Sequence, residues 1–166
     1  MMIRFARPDD DRAVGELLVT AFVESYAKKL PDVVVTDARK ETLRDVAGKR
    51  AHARVFVADK DGRVVGTVAL WLPGTSGSEA WLPNAADLRH LAVDANHRGG
   101  EVSCALLDAA ETEARQSGAD TACLHVRRGA HGVRRLYEAR SYVRDVSGDI
   151  DRLPEVFLEG FVKRLG

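Results

Sequence analysis

Residues 87–115, DLRHLAVDANHRGGEVSCALLDAAETEAR, decide the fold. The apolar run 88–93 reads as a buried strand, the polar, glycine-containing run 94–100 as a loop, and the remainder as a helix. In that helix Val102, Ala105, Leu106, Ala109 and Ala110 recur at spacings of three and four, while Glu101, Asp108, Glu111 and Glu113 fall elsewhere. One face is built to be buried. The helix starts on Arg98, Gly99 and Gly100, directly past the strand end, so its unpaired first-turn N–H groups and an arginine face whatever lies there. Such a helix start is an anion site.

Working outward, residues 3–7 alternate and stop at Pro8, which predicts a short first strand. Asp9, Asp10 and Asp11 supply a cap and first-turn negative charge for a helix striped by Ala13, Val14, Leu17, Leu18, Ala21 and Phe22. Residues 24–35 are irregular and carry Tyr26. Thr36 or Asp37 then caps a second helix reaching about Gly48 or Arg50, with Leu43, Val46 and Ala47 inward. The period next changes to two. Residues 54–58 and 64–72 flank Lys60-Asp61-Gly62-Arg63, and Asp-Gly between such runs signals a hairpin. Gly66 inside the second strand marks a bulge or a close backbone approach. The long connection 73–86 holds Glu79 and Trp81, and connections of this length usually carry function or move.

Beyond the central helix, residues 122–126 form a strand followed by Arg127 and Arg128. Strand, helix, strand in this order favours a parallel pair with a right-handed crossover, and ligands of such sheets bind at the strand carboxyl ends. The loops 94–100 and 127–131 should meet there. Residues 131–140 give a short helix with Val133, Leu136 and Tyr137, Ser141 and Tyr142 a strand, and residues 155–165 a last strand.

A chain of 166 residues, 45% hydrophobic and 30% charged, suits one globular domain spanning 1–166. With 25 basic against 25 acidic residues the formal net charge is zero, so no long-range field favours nucleic acid or an anionic membrane. No apolar run approaches the length of a membrane span and the N-terminus lacks the apolar core of a leader, so a cytoplasmic location is expected. Cys104 and Cys123 sit in apolar patterns without ligand spacing, and the five histidines lack the pairing of a zinc site, so no metal is expected. An exposed terminal strand edge offers the usual route to a homodimer.

The run LAVDANHRGGEVSCALLDAAE resembles the cofactor motif of the GNAT family of N-acetyltransferases, a strand ending L-x-V followed by R-G-x-G-x-G/A and an amphipathic helix. The string RRLYEARSY, residues 134–142, resembles the family's second motif, an LYE-like helix followed by G-F. The resemblance implies an α/β (α+β) fold, a mixed sheet of six to seven strands with about four helices, in the order β-α-α-β-β-β-α-β-α-β-β. It implies acetyl-CoA as co-substrate, with Leu91, Ala92 and Val93 meeting the pantetheine arm and Arg98, Gly99, Gly100, Glu101, Val102 and Ser103 the pyrophosphate. Tyr137 falls on the family's catalytic tyrosine. Three positions depart from the pattern: Glu101 replaces the second motif glycine, Ala130 an Asn that often meets the pantetheine, and Ser141 the usual Gly. A carboxylate about 4 Å from a phosphate charge at an effective dielectric of about 20 costs roughly 4 kcal/mol, so the direction of Glu101 matters.

The implied reaction moves an acetyl group to a primary amine of a small molecule or peptide. Tyr137 would protonate the departing sulfur, since a phenol near pKa 10 lies close to a thiol near 8.5. Asp87, at the start of the central strand, would drain the amine proton, with Glu79 and His90 as other bases. Strict alternation puts Asp87, Arg89 and Leu91 on one side and His90 on the other. Tyr26, Glu79 and Trp81 are candidate acceptor contacts, each with a packing alternative. The rival reading is a non-catalytic module of the same fold, its cradle spoiled by Glu101 and Ala130.

Overall fold

The computed structural model describes residues 1–24 and 35–166. Tyr26, expected at the acceptor site, lies outside the described residues. The elements run β1 (Met2–Phe5), α1 (Asp11–Val19), α2 (Asp37–Arg44), α3 (Val46–His52), β2 (Arg54–Lys60), β3 (Arg63–Trp71) and β4 (Ala85–Val93). Then come α4 (Glu101–Gln116), β5 (Thr121–Arg127), α5 (His131–Ala139), β6 (Val143–Arg144), β7 (Ile150–Arg152) and β8 (Val156–Arg164). The strands form one sheet in the order β1-β2-β3-β4-β5-β8-β6, with β7 also on β8. Among the described residues only β4 and β5 pair in parallel, joined by α4 as expected.

The expected architecture is present with two additions. The predicted second helix is two, because Asp45 leaves the helical region (φ −78°, ψ 67°) and its carboxylate accepts from the Gly48 amide at 3.0 Å, starting a new helix. The eighth strand, β7, is three residues long, too short for a periodic signal. The Asp61-Gly62 hairpin has positive φ at both residues (53° and 82°), as a type I′ turn demands.

Alternation along the strands divides the core into two layers. Phe56, Val68, Leu70, Leu88, Leu124 and Phe161 pack against Leu106, Leu107 and Ala110 of α4. The opposite face carries Val57 and Ala92 against Val14, Leu18, Leu43 and Val46 of α1 to α3, with Val55, Ala69 and Trp71 beside them. Gly66 brings α4 close to the sheet: a Cβ there would stand 2.7 Å from Val102 Cγ1 and 3.0 Å from Leu106 Cδ1. It also flanks a bulge, since Ala58 pairs with Gly66 but Asp59 with Val64.

Candidate active site

The central feature is a second bulge, on β4. Thr67 pairs with Ala92 and Ala69 with Arg89, so the single residue Val68 faces both His90 and Leu91. His90 absorbs the extra length in a left-handed conformation, φ 61°. The strand therefore changes face. Arg89 and His90 both contact Trp71, with the Arg89 guanidinium 3.9 Å from its ring centroid and the His90 ring centroid 6.2 Å from it. Leu91 and Val93 pack on the α4 side, and Ala92 on the other. The alternation expected from sequence fails here: His90 joins Asp87 and Arg89, and Leu91 leaves them.

The bulge has a second effect. Parallel pairing of β4 with β5 runs from Ala85 and Thr121 to Leu88 and Leu124 and stops, although β5 continues against β8 as far as Arg127. Past Leu88 the strands part, and the backbone groups of residues 89–93 that point toward β5 have no strand to bond. A polar arm of extended shape fits such an edge.

At the end of the gap the loop turns into α4. Asp94 Oδ1 accepts from the Asn96 amide at 2.8 Å, and Arg63 stands 3.4 Å from Asp94, holding its pKa below the usual carboxylate range. Gly99 and Gly100 have φ of 135° and 97°, and a Cβ on either would meet nothing within 4 Å. Gly100 caps α4 from the left-handed region with no side-chain bond. The helix start is therefore open beside its glycines and its first-turn amides have no side-chain cap, the kind of place where an anion fits. Glu101 is exposed and forms no ion pair among the described residues.

Tyr137 on α5 is buried, 6% exposed, with its ring edge-on to Tyr142 at 5.4 Å. The Tyr142 hydroxyl donates to Glu111 Oε1 at 3.0 Å, and Glu111 also accepts from Lys163 at 2.9 Å and Arg140 at 3.2 Å. Burial pushes the Tyr142 hydroxyl far above its ordinary range. A buried network thus fixes the ring beside Tyr137.

On the opposite face Asp87 is wholly buried. Its Oδ2 accepts from the Glu79 amide at 2.8 Å and from Arg89 Nε at 2.8 Å, while Oδ1 has no partner among the described residues. Burial pushes the Asp87 carboxyl above its ordinary pKa, opposed by Arg89. Arg89 also pairs with Glu79 Oε1 at 2.8 Å and donates to the Gly77 carbonyl, which ties the connection between β3 and β4 to the sheet. Trp81 donates through Nε1 to Asp145 at 2.9 Å, lies 5.0 Å from the His125 ring and covers Gly148 so closely that a Cβ has no room there. Of the expected acceptor contacts, Glu79 stands at Asp87 and Arg89, whereas Trp81 is engaged by the β6–β7 connection. Arg128 stacks on Phe157 at 3.6 Å.

Lys49 went unnoticed in the sequence, being one charge among many on a helical pattern. Its Nζ is buried without a partner among the described residues, as is His90 Nδ1. A cavity of 260 Å³ lined by Pro73, Gly74, Ser78 and Leu82 lies at the far end of β4 and has no titratable group in its wall. Among the described residues no cluster of His, Cys, Asp or Glu could hold a metal ion, and no helix is long and apolar enough to cross a membrane.

A sheet parted at one parallel pair, with an open helix start beyond the gap, is a shape that an extended, phosphate-tailed ligand fits. The sequence profile of the acetyltransferase (GNAT) family matches residues 12–142, and the chain belongs to that family. A GNAT-family acetyltransferase from Staphylococcus aureus superposes with a TM-score of 0.75 at 15% identity, over 99% of each chain. The ribosomal-protein-alanine N-acetyltransferase of Brucella melitensis gives 0.68 at 18% identity, over 99% of each chain. The PaiA N-acetyltransferase of Thermoplasma acidophilum, in complex with coenzyme A, gives 0.71 at 16% identity, over 96% of each chain. At these identities the likeness is one of fold. Comparison with curated proteins gives no significant match.

Proposed function

We propose that this protein is an acetyl-CoA-dependent N-acetyltransferase, a single domain that acetylates a primary amine of a small molecule or peptide by direct transfer. The observation that carries the reading is the gap opening after Leu88 and Leu124, which leads straight to the uncapped start of α4. Bound there, acetyl-CoA supplies an activated thioester. The residues present fit it. Backbone groups of Leu91, Ala92 and Val93 line the gap, and the amides following Arg98, from Gly99 to Ser103, receive the pyrophosphate. Glu101 is exposed, so its carboxylate can stay in solvent while those amides are occupied.

The chain's own groups then manage two protons. Asp87 Oδ1, its pKa raised by burial, takes the proton from the attacking amine, directly or through a water. Tyr137 gives a proton to the departing sulfur. Glu79, paired with Arg89 beside Asp87, flanks the acceptor side.

Isothermal titration with acetyl-CoA and free CoA tests binding, and a panel of amines tests turnover. Binding in the micromolar range and turnover are expected, with Tyr137→Phe lowering kcat by about 10²–10⁴ while leaving the acetyl-CoA Kd unchanged. Binding without turnover on any amine, and indifference to Tyr137→Phe, is the result of a non-catalytic module. Absence of binding at millimolar ligand overturns both.

A further inference from the structure

We infer that Lys49 and His90 together form a subsite for the carboxylate of the acceptor, so that the amine acetylated belongs to an amino acid or a similar amino carboxylate. The inference rests on the acetyl-transfer reading and names its substrate class.

It starts from two atoms. Lys49 Nζ and His90 Nδ1 are both buried, and neither has a hydrogen-bond partner among the described residues. Buried polar groups are otherwise almost always bonded, so two orphans on the α1–α3 side of the sheet point to a missing third party. Lys49 reaches this place from α3, and His90 arrives because the β4 bulge turns it to the face of Asp87 and Arg89. Its ring sits between Trp71 and Phe22, the latter 6.0 Å away between centroids. The same face holds the carboxylate proposed to accept the amine proton.

The charges decide what the third party is. Arg89 is matched by Asp87 and Glu79. Asp45, the acid that acts on Lys49, is bonded to the Gly48 amide. Lys49 Nζ has no anion in bonding distance among the described residues. Burial, and then the nearby positive groups Lys49, Arg39 and Arg89, push the His90 imidazole well below its ordinary pKa. Arg89 and Arg39 have interactions of their own, which leaves Lys49 beside the imidazole, and that pair suits a monoanion with two oxygens. A carboxylate has that charge and shape, whereas a phosphate dianion brings a second charge that Lys49 alone does not balance. A buried cation costs stability until its anion arrives, so the site is tuned to be filled.

Two measurements test this. Kinetics with a set of α-amino acids and their amides should favour the acids by about ten- to a hundredfold in kcat/KM. Lys49→Met should bring that ratio close to one, Lys49→Arg should retain part of it, and the acetyl-CoA Kd should stay the same in both. Thermal unfolding reads the site without any turnover: N-acetylglycine should raise the Tm of the wild type, N-acetylglycinamide should not, and Lys49→Met should remove the effect while raising the ligand-free Tm. Lys49→Gln replaces the Met variant if that one does not fold. Equal use of acids and amides, an acid preference that survives Lys49→Met, or inorganic phosphate stabilising more than N-acetylglycine overturns the subsite. If acetyl-CoA fails to bind, the transferase reading falls, and the unfolding experiment still decides whether Lys49 holds a carboxylate.

Discussion

Arg89 holds Asp87 and Trp71 at once: its Nη2 lies 2.7 Å from Asp87 Oδ2, and its Cζ lies 3.9 Å from the centroid of the indole ring over which it sits. The acid is thereby fixed in a dry place with one oxygen bonded and the other free. An ionised carboxylate is costly there, and burial raises its pKa accordingly.

Asp87→Asn should therefore separate stability from activity. The amide oxygen can still accept from the Glu79 N–H and Arg89, so unfolding free energy at neutral pH should change by about 1 kcal/mol or less. Turnover should fall by about 10²–10⁴. Because the folded pKa of Asp87 stands above its unfolded value of 3.8, the stability it contributes is complete below that value and is lost as pH rises through the folded pKa. The advantage of wild type over Asp87→Asn should shrink across that window. Urea unfolding at several pH values and steady-state kinetics check both halves.

Gly66→Val should act at a distance from the chemistry. The new Cβ would stand 2.7 Å from Val102 Cγ1, forcing the first turns of α4 off the sheet. A loss of about 1–3 kcal/mol is expected, and acetyl-CoA affinity should drop with it because α4 carries the anion cradle. Chemical denaturation and titration of the same sample give the two values.

Glu101→Gln should strengthen cofactor binding only slightly. The carboxylate is exposed, so its repulsion of a phosphate is that of a solvated pair, roughly 1 kcal/mol at about 4 Å, rather than that of a buried one. The gain in affinity should be less than about tenfold and should fade as salt is raised. A gain of a thousandfold would place the acid across the cradle.

Lys49 gives the fold a pH signature. Burial lowers its pKa from 10.5 to about 8, so the unfolded chain holds the extra proton between those values. Its contribution to stability is complete above 10.5 and is lost as pH falls through about 8. Relative to Lys49→Met, the wild type should gain up to roughly 3 kcal/mol across that interval. Denaturant midpoints of the two proteins at pH 7, 9 and 10.5 measure it.

Much of this site could be read in advance, because it is written in local signals. The strand-loop-helix unit, the open helix start at Gly100, the Asp61-Gly62 hairpin and the need for a close approach at Gly66 each follow from a few neighbouring residues. What escaped depends on contacts made far along the chain. The bulge at His90 has no glycine to announce it, and a period of two gives no reason to break there. The break at Asp45 hides inside a continuous helical pattern. Trp81 has its indole bonded to Asp145, a partner 64 positions away that periodicity cannot supply. Lys49 is informative only once burial has stripped it of partners.

The left-handed residue at position 90 gives the two sides of one strand different tasks. In the proposed reaction the donor is gripped by peptide groups past the kink, which any side chain supplies, whereas the acceptor meets the side chains of residues 87, 89 and 90. Replacing His90, with Asp87 and Arg89 kept for the proton, would redirect the choice of amine and leave thioester capture intact, so this position is where the selectivity of this protein can be re-engineered.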